Sequence, residues 1–260
     1  MPNWCSNGLG VTGPKTELDD FIKAVVPAGT AGSEDIDLTL PCPMPEILRG
    51  TRSPSMSMEQ TEEQIAKMIE DRDAGKLQAH DKHPGPLTPE GSWVTDEYLQ
   101  EMRDQVKQAD LAEAETGYRE WYSWAVDNWG TKWPPSVALY EADGVSATFR
   151  FDSAWSPPSA LIQRISEKFP NLTFVLEYSE PGMGFLGAEA FKGGEVISES
   201  YLGDTSADPV MESLNSKLDK LRDDPDFDGD TEEAIHDEIH DRWMHLQERC
   251  GADVLQAVSA

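Results

Sequence analysis

Apolar residues along this chain repeat with two different periods, and the order of those periods defines an architecture. Cys5, Asn7, Leu9 and Val11 alternate with small residues through WCSNGLGVT, the period of a short strand. Gly13-Pro14 breaks the run. In PKTELDDFIKAVV, Leu18, Phe21, Ile22 and Val25 then recur at helical spacing and make one apolar stripe. Far downstream, SVALYEA and SATFRFD flank Asp143-Gly144, a hairpin signal. The second of these strands puts Val145, Ala147, Phe149 and Phe151 on one face and Ser146, Thr148, Arg150 and Asp152 on the other. Ser156-Pro157-Pro158 predicts a helix start with Ser156 as its cap, and that helix would bury Leu161, Ile162, Ile165 and Phe169. A strand over 172–178 (LTFVLEY) follows, and then a hairpin turning at Gly193-Gly194.

Between the first helix and the first hairpin the pattern thins. Residues 28–56 are rich in Gly, Pro and Ser and read as a long loop containing one short extended piece, DLTL. Residues 57–116 are helical but mostly polar, with narrow stripes at Ile65, Met68 and Ile69 and at Leu99, Met102 and Val106, parted by the loop HDKHPGPLTPEGS. Stripes this thin cannot carry a core of their own. Setting them aside leaves βαββαβ, so the expected fold class is α+β: a ferredoxin-like split βαβ, with an antiparallel sheet, two helices on one face and the other face open. Residues 1–203 then form the domain, with a helical insertion at about 57–120, and residues 204–260 form an acidic helical extension.

REWYSWAVDNWGTKWPP packs four tryptophans into the junction between insertion and hairpin. Trp121, Trp124 and Ala125 fall at helical spacing and Gly130 is a fitting stop, so Trp121 and Trp124 read as core. Trp129 and Trp133, in a turn around Asp127, read as partly exposed. With Trp155, Arg150 and Asp152 they form a candidate binding site.

Charge changes the picture most. The chain carries 21 Lys+Arg against 49 Asp+Glu, a net charge of -28. Residues 31–120 and 204–260 each hold -11 of it, while 121–203 hold only -5. Such a chain repels nucleic acid and anionic membrane, so neither is an expected direct partner. Solubility or salt adaptation would account for the acidity. The sharper reading is an acidic surface that engages a basic partner, in the manner of the DNA such a partner binds. Three scattered cysteines without a CxxC pair suit a reducing cytosol, and no apolar run reaches 18 residues.

Four stretches together resemble the YubB-like proteins of plasmids and phages: MPNWCSN with LGVTG, LPCPMPEIL at 40–48, WYSWAVDNWGTKW, and FDSAWSPP at 151–158. They lie within roughly residues 1–200. The resemblance implies a ferredoxin-like domain and a mobile-element origin, hence the cytoplasm of a host cell. It implies no mechanism.

Candidate chemistry is sparse. Phe149 and Phe151 sit where an RNA-binding sheet stacks bases, but they form the strand's apolar face and must be core. In DDPDFDGDTEE, Asp224, Asp226 and Asp228 followed by Gly229 match the first half of a calcium loop. The twelfth position, which needs a bidentate Glu, is Ile235, so at most weak calcium binding is expected, and no other cofactor. The last helix pairs His236 with His240 at i, i+4, yet lacks the Glu that a metalloprotease helix places after its first His. Its apolar stripe is Ile235, Ile239, Trp243 and Leu246. The expected function is therefore a non-enzymatic phage or plasmid interaction protein that binds a basic, nucleic-acid-binding host protein, with DNA mimicry or an anti-defence role as its sharper forms. Glu232 and Glu233 are among its expected contacts. A small-ligand protein or enzyme at the tryptophan cluster and a virion structural protein are the alternatives.

Overall fold

The computed structural model describes residues 3–27, 36–77, 88, 92–222 and 229–259. They fall into two compact units, Met1–Pro43 with Val126–Ala260, and Met44–Ala125.

The first unit is built on a six-stranded antiparallel sheet. β1 (Trp4–Thr12) pairs on one side with β3 (Ser146–Ala154) and on the other with β4 (Thr173–Glu180). β2 (Ser136–Ala142) flanks β3, and the hairpin β5 (Phe185–Lys192) and β6 (Glu195–Leu202) extends the sheet beyond β4. The order β2-β3-β1-β4 is that of a split βαβ. Register explains why the two faces differ: Leu9 lies opposite both Phe149 and Leu176, so three strands bury their apolar residues on one side.

Two helices close that inner face, α1 (Lys15–Val25) and α6 (Ser159–Lys168). Phe21 of α1 meets Phe149, Phe169 and Phe174 edge to face, with ring centroids 5.8, 5.4 and 5.3 Å away. α6 buries Leu161, Ile162 and Ile165. Phe149 and Phe151 are core, as their alternation requires.

The outer face is not left open as expected. α7 (Pro209–Arg222) and α8 (Gly229–Ser259) follow β6, and α8 lies across the outer side of β4, β5 and β6. Trp243, Leu246, Cys250 and Val254 of α8 pack with Leu186, Ala188 and Ala190 of β5 and with Met211 of α7. Two alanines on the strand leave room for a bulky helical stripe. Arg242 of α8 grips Asp208 through two nitrogens, at 3.0 and 2.6 Å. Asp208 Oδ1 also accepts the N–H groups of Val210 and Met211, both at 3.1 Å, and so holds the first turn of α7.

Two local expectations are corrected. DLTL is a turn rather than an extended piece, because Asp37 Oδ1 accepts both the N–H and the hydroxyl of Thr39 and bends the chain. Ser156 does not cap α6: its hydroxyl donates to the Gly130 carbonyl, and the helix starts at Ser159.

The second unit contains α2 (Glu46–Arg49), α3 (Met58–Asp73) and α4 (Asp96–Thr116). Ser57 and Gln60 form a capping box on α3, and Gly117 ends α4 at φ 81°. Ile65, Val94 and Leu99 form a small core, with Met68, Ile69 and Met102 at its edge. Cations here are tied up by neighbouring acids: Arg103 with Glu62, Arg52 with Glu101, and Arg119 with Asp110 and Glu113. α5 (Trp121–Trp129) carries the chain onward to β2.

Two carboxyl groups of the first unit should move stability with pH in opposite directions. The Arg242 guanidinium beside Asp208 holds its carboxyl down at about 2. Its contribution is present above the ordinary carboxylate pKa and is lost as pH falls through the lowered value. Asp208→Asn, which keeps a capping oxygen, should therefore cost about 1–2 kcal/mol at pH 7, and denaturant titrations should show the gap closing between about pH 4 and 2. Glu189 is the reverse case. Burial, with Glu199 directly opposite it across the β5–β6 pair, pushes its carboxyl up, and its Oε2 has no hydrogen-bond partner among the described residues. The charged form thus weighs against folding at neutral pH, so Glu189→Gln should stabilise at pH 7 and lose that advantage in denaturant titrations below about pH 4.

Candidate functional site

A cleft of about 550 Å³ opens on the outer face of the sheet, beside α8. Its existence follows from β1. The outward positions of this central strand, after Trp4, are Ser6, Gly8, Gly10 and Thr12, so the middle of the sheet presents backbone where other strands present side chains. A Cβ added at Gly8 would meet nothing within 4 Å. Neighbouring strands then supply the floor: Arg150 and Asp152 from β3, Glu177 and Ser179 from β4. The wall is the flank of α8, with Ile239, Trp243 and Met244 as its apolar part and His236, His240 and Gln247 as its polar part.

The charges on the floor are held apart. Gly8 pairs with Arg150 on one side and with Glu177 on the other, so the two lie two strand spacings apart, about 10 Å between backbones, with no side chain between them. Among the described residues Arg150 has no ion pair within 4 Å, and Glu177 has neither an ion pair nor a hydrogen bond. Burial under α8 pushes the Glu177 carboxyl up, while the more distant Arg150 charge pulls it the other way. Gly251 permits this burial, since a Cβ there would stand 2.3 Å from Glu177 Oε1. Asp152 accepts from the Ser6 hydroxyl at 3.2 Å.

The structure divides the residues singled out from the sequence. Arg150 and Asp152 line the cleft. Trp129, expected to be partly exposed, is buried at 4% exposure, and its Nε1 donates to the Cys42 carbonyl at 2.9 Å. Its helix continues to position 129, which turns the ring inward. Asp127 is exposed on the same helix. Trp133 is half-buried, 6.2 Å from Trp4 and capped by Lys132 at 4.6 Å from its ring centre. Trp155 is 45% exposed at φ 73°, where its N–H donates to the Asn3 carbonyl. None of Trp129, Trp133 or Trp155 lines the cleft. Trp124 is buried and Trp121 half-buried.

On α8, Glu233 is exposed and Glu232 is half-buried, 3.6 Å from His236. Asp224, Asp226 and Asp228 lie outside the described residues. Among the described residues no group of three or more His, Cys, Asp or Glu is placed to hold a metal ion, and no helix is long and apolar enough to cross a membrane. Burial pushes the Cys5 thiol up to about 12, which leaves it protonated and unreactive at neutral pH. Glu177 was not anticipated from the sequence; the signal for it was the glycine spacing in WCSNGLGVT, which marks a floor without side chains.

No curated protein matches the chain. Among solved structures, the crystal structure of protein Api92 from Yersinia pseudotuberculosis is 14% identical, with 78% of this chain and 99% of that chain covered and a TM-score of 0.41. Residues 128–220, from the end of α5 through most of α7, match the family model described as a ferredoxin-like domain in Api92-like protein.

Proposed function

We propose that this chain is a non-enzymatic interaction protein whose acidic C-terminal helix engages a basic surface on a host protein. The supporting observation is the two-sidedness of α8. Its apolar stripe is committed to the sheet, and its opposite side presents Glu233, Asp237 and Asp241, one turn apart and exposed, with Glu238 and Glu248 nearby. A rigid helix holding carboxylates at a repeat of one turn offers a regular row of negative charge to lysines and arginines. The partner class follows from the same feature: a protein that ordinarily holds a nucleic-acid backbone has the basic groove such a row would occupy, so competition with DNA and an anti-defence role belong to this reading. A phage or plasmid setting rests on the YubB-like stretches quoted above.

The test is a pull-down from host lysate with the full chain at low and moderate salt. A basic protein should be recovered, DNA should compete it away, and its capture should weaken steeply as salt rises. Converting Glu233, Asp237 and Asp241 together to Gln, Asn and Asn should reduce capture at least tenfold without lowering the melting temperature. Recovery that is indifferent to salt and to these substitutions would sink the proposal. A large homogeneous assembly in size-exclusion chromatography would instead favour a virion structural role.

A further inference from the structure

The acidic row does not explain the cleft beside it. The cleft has a chemically ordered interior: a guanidinium at one side of its floor, a half-buried carboxylate at the other, a backbone-only gap at Gly8 between them, and an apolar wall formed by Ile239 and Trp243. The two floor charges do not satisfy each other, and among the described residues neither has an ion-pair partner.

Three ligand charge types can be weighed. A simple anion would suit Arg150 but would face Glu177 and Asp152 and approach against a net charge of -28. A simple cation would suit Glu177 and leave Arg150 opposing it. A ligand that carries both charges answers both sides of the floor and crosses the protein's field at no net cost. A planar guanidinium grips a carboxylate through two parallel hydrogen bonds, and a half-buried carboxylate gains most from a donor that brings its own positive charge. The apolar flank of α8 then receives whatever hydrocarbon the ligand carries.

We propose that the cleft binds a zwitterionic α-amino acid with a large apolar side chain, its carboxylate on Arg150, its ammonium on Glu177 and its side chain against Trp243 and Ile239. Gly8 keeps the space between the two charges empty. The reading concerns a different surface from the acidic row of α8 and stands or falls separately from it.

The experiment is a calorimetric and ligand-observed NMR titration of the full chain with L-phenylalanine, L-tryptophan, L-leucine and L-methionine. Phenylacetate, which lacks the ammonium, and phenethylamine, which lacks the carboxylate, serve as controls. At least one of the four amino acids should bind saturably, and both controls should bind at least tenfold more weakly than L-phenylalanine or not at all. Arg150→Gln and Glu177→Gln should each weaken binding of the best amino acid by about tenfold or more, the loss of one charge-assisted pair. Gly8→Val should abolish it by filling the floor, with the melting temperature reporting that the fold persists. Saturable binding of none of the four would overturn the proposal. So would phenethylamine or phenylacetate binding as tightly as L-phenylalanine, or amino-acid binding unchanged in Gly8→Val.

Discussion

The packing of α8 against β5 is the constraint from which the functional surfaces follow. β5 turns Leu186, Ala188 and Ala190 outward, and α8 answers with Trp243, Leu246, Cys250 and Val254. Small residues on the strand and large ones on the helix bring the two backbones close and remove apolar area from water on both sides, worth roughly 25 cal/mol per Å². Gly251 takes the approach further, to where the helix backbone meets the Glu177 carboxylate. Without this contact the outer face of a ferredoxin-like sheet would be bare, and α8 would be an acidic helix with nothing to orient it.

Fixing α8 in this way separates its sides by role. One side is spent on the sheet. The flank toward α7 holds Arg242 against Asp208, which ties the start of one helix to the middle of the next. The flank toward β1 and β3 walls the cleft, and the solvent side carries Glu233, Asp237 and Asp241. Like charges along one exposed helix side repel one another, so the row costs stability that the buried stripe must offset. A large apolar contact beneath a charged row is therefore what such a surface requires.

Most of the sheet was legible because its signal is local. Alternation in WCSNGLGVT, SATFRFD and LTFVLEY gives strands, and Gly193-Gly194, at φ 59° and 86°, gives the turn that closes the added hairpin. The apolar stripe of the last helix was legible too, through Ile239, Trp243 and Leu246. What it packs against was not, because the match between that stripe and the outward alanines of β5 is made across some fifty residues of chain and leaves no periodicity. The tryptophans show the same limit. Spacing identifies Trp121 and Trp124 as helical, but the burial of Trp129 comes with an indole hydrogen bond to the Cys42 carbonyl, a partner distant in sequence. Arg150 and Asp152 could be placed on the outer face from alternation alone. Glu177 could be placed on β4, but its neighbour across Gly8 depends on which strands flank β1.

The character of the outer face also decides between ligands. An open split-βαβ sheet that binds RNA offers aromatic rings on its central strands for bases to stack on. Here β1 offers Ser6, Gly8, Gly10 and Thr12 beyond Trp4, and β3 offers Thr148, Arg150 and Asp152, so no ring lies over the middle of the sheet. Among the described residues that line the cleft the one indole, Trp243, belongs to the wall and is largely committed to the core beneath α8. Glycine at two outward positions of a central strand costs roughly 0.5–1 kcal/mol each relative to alanine. Strands that leave such a gap between an arginine and a carboxylate are shaped for a small molecule of balanced charge.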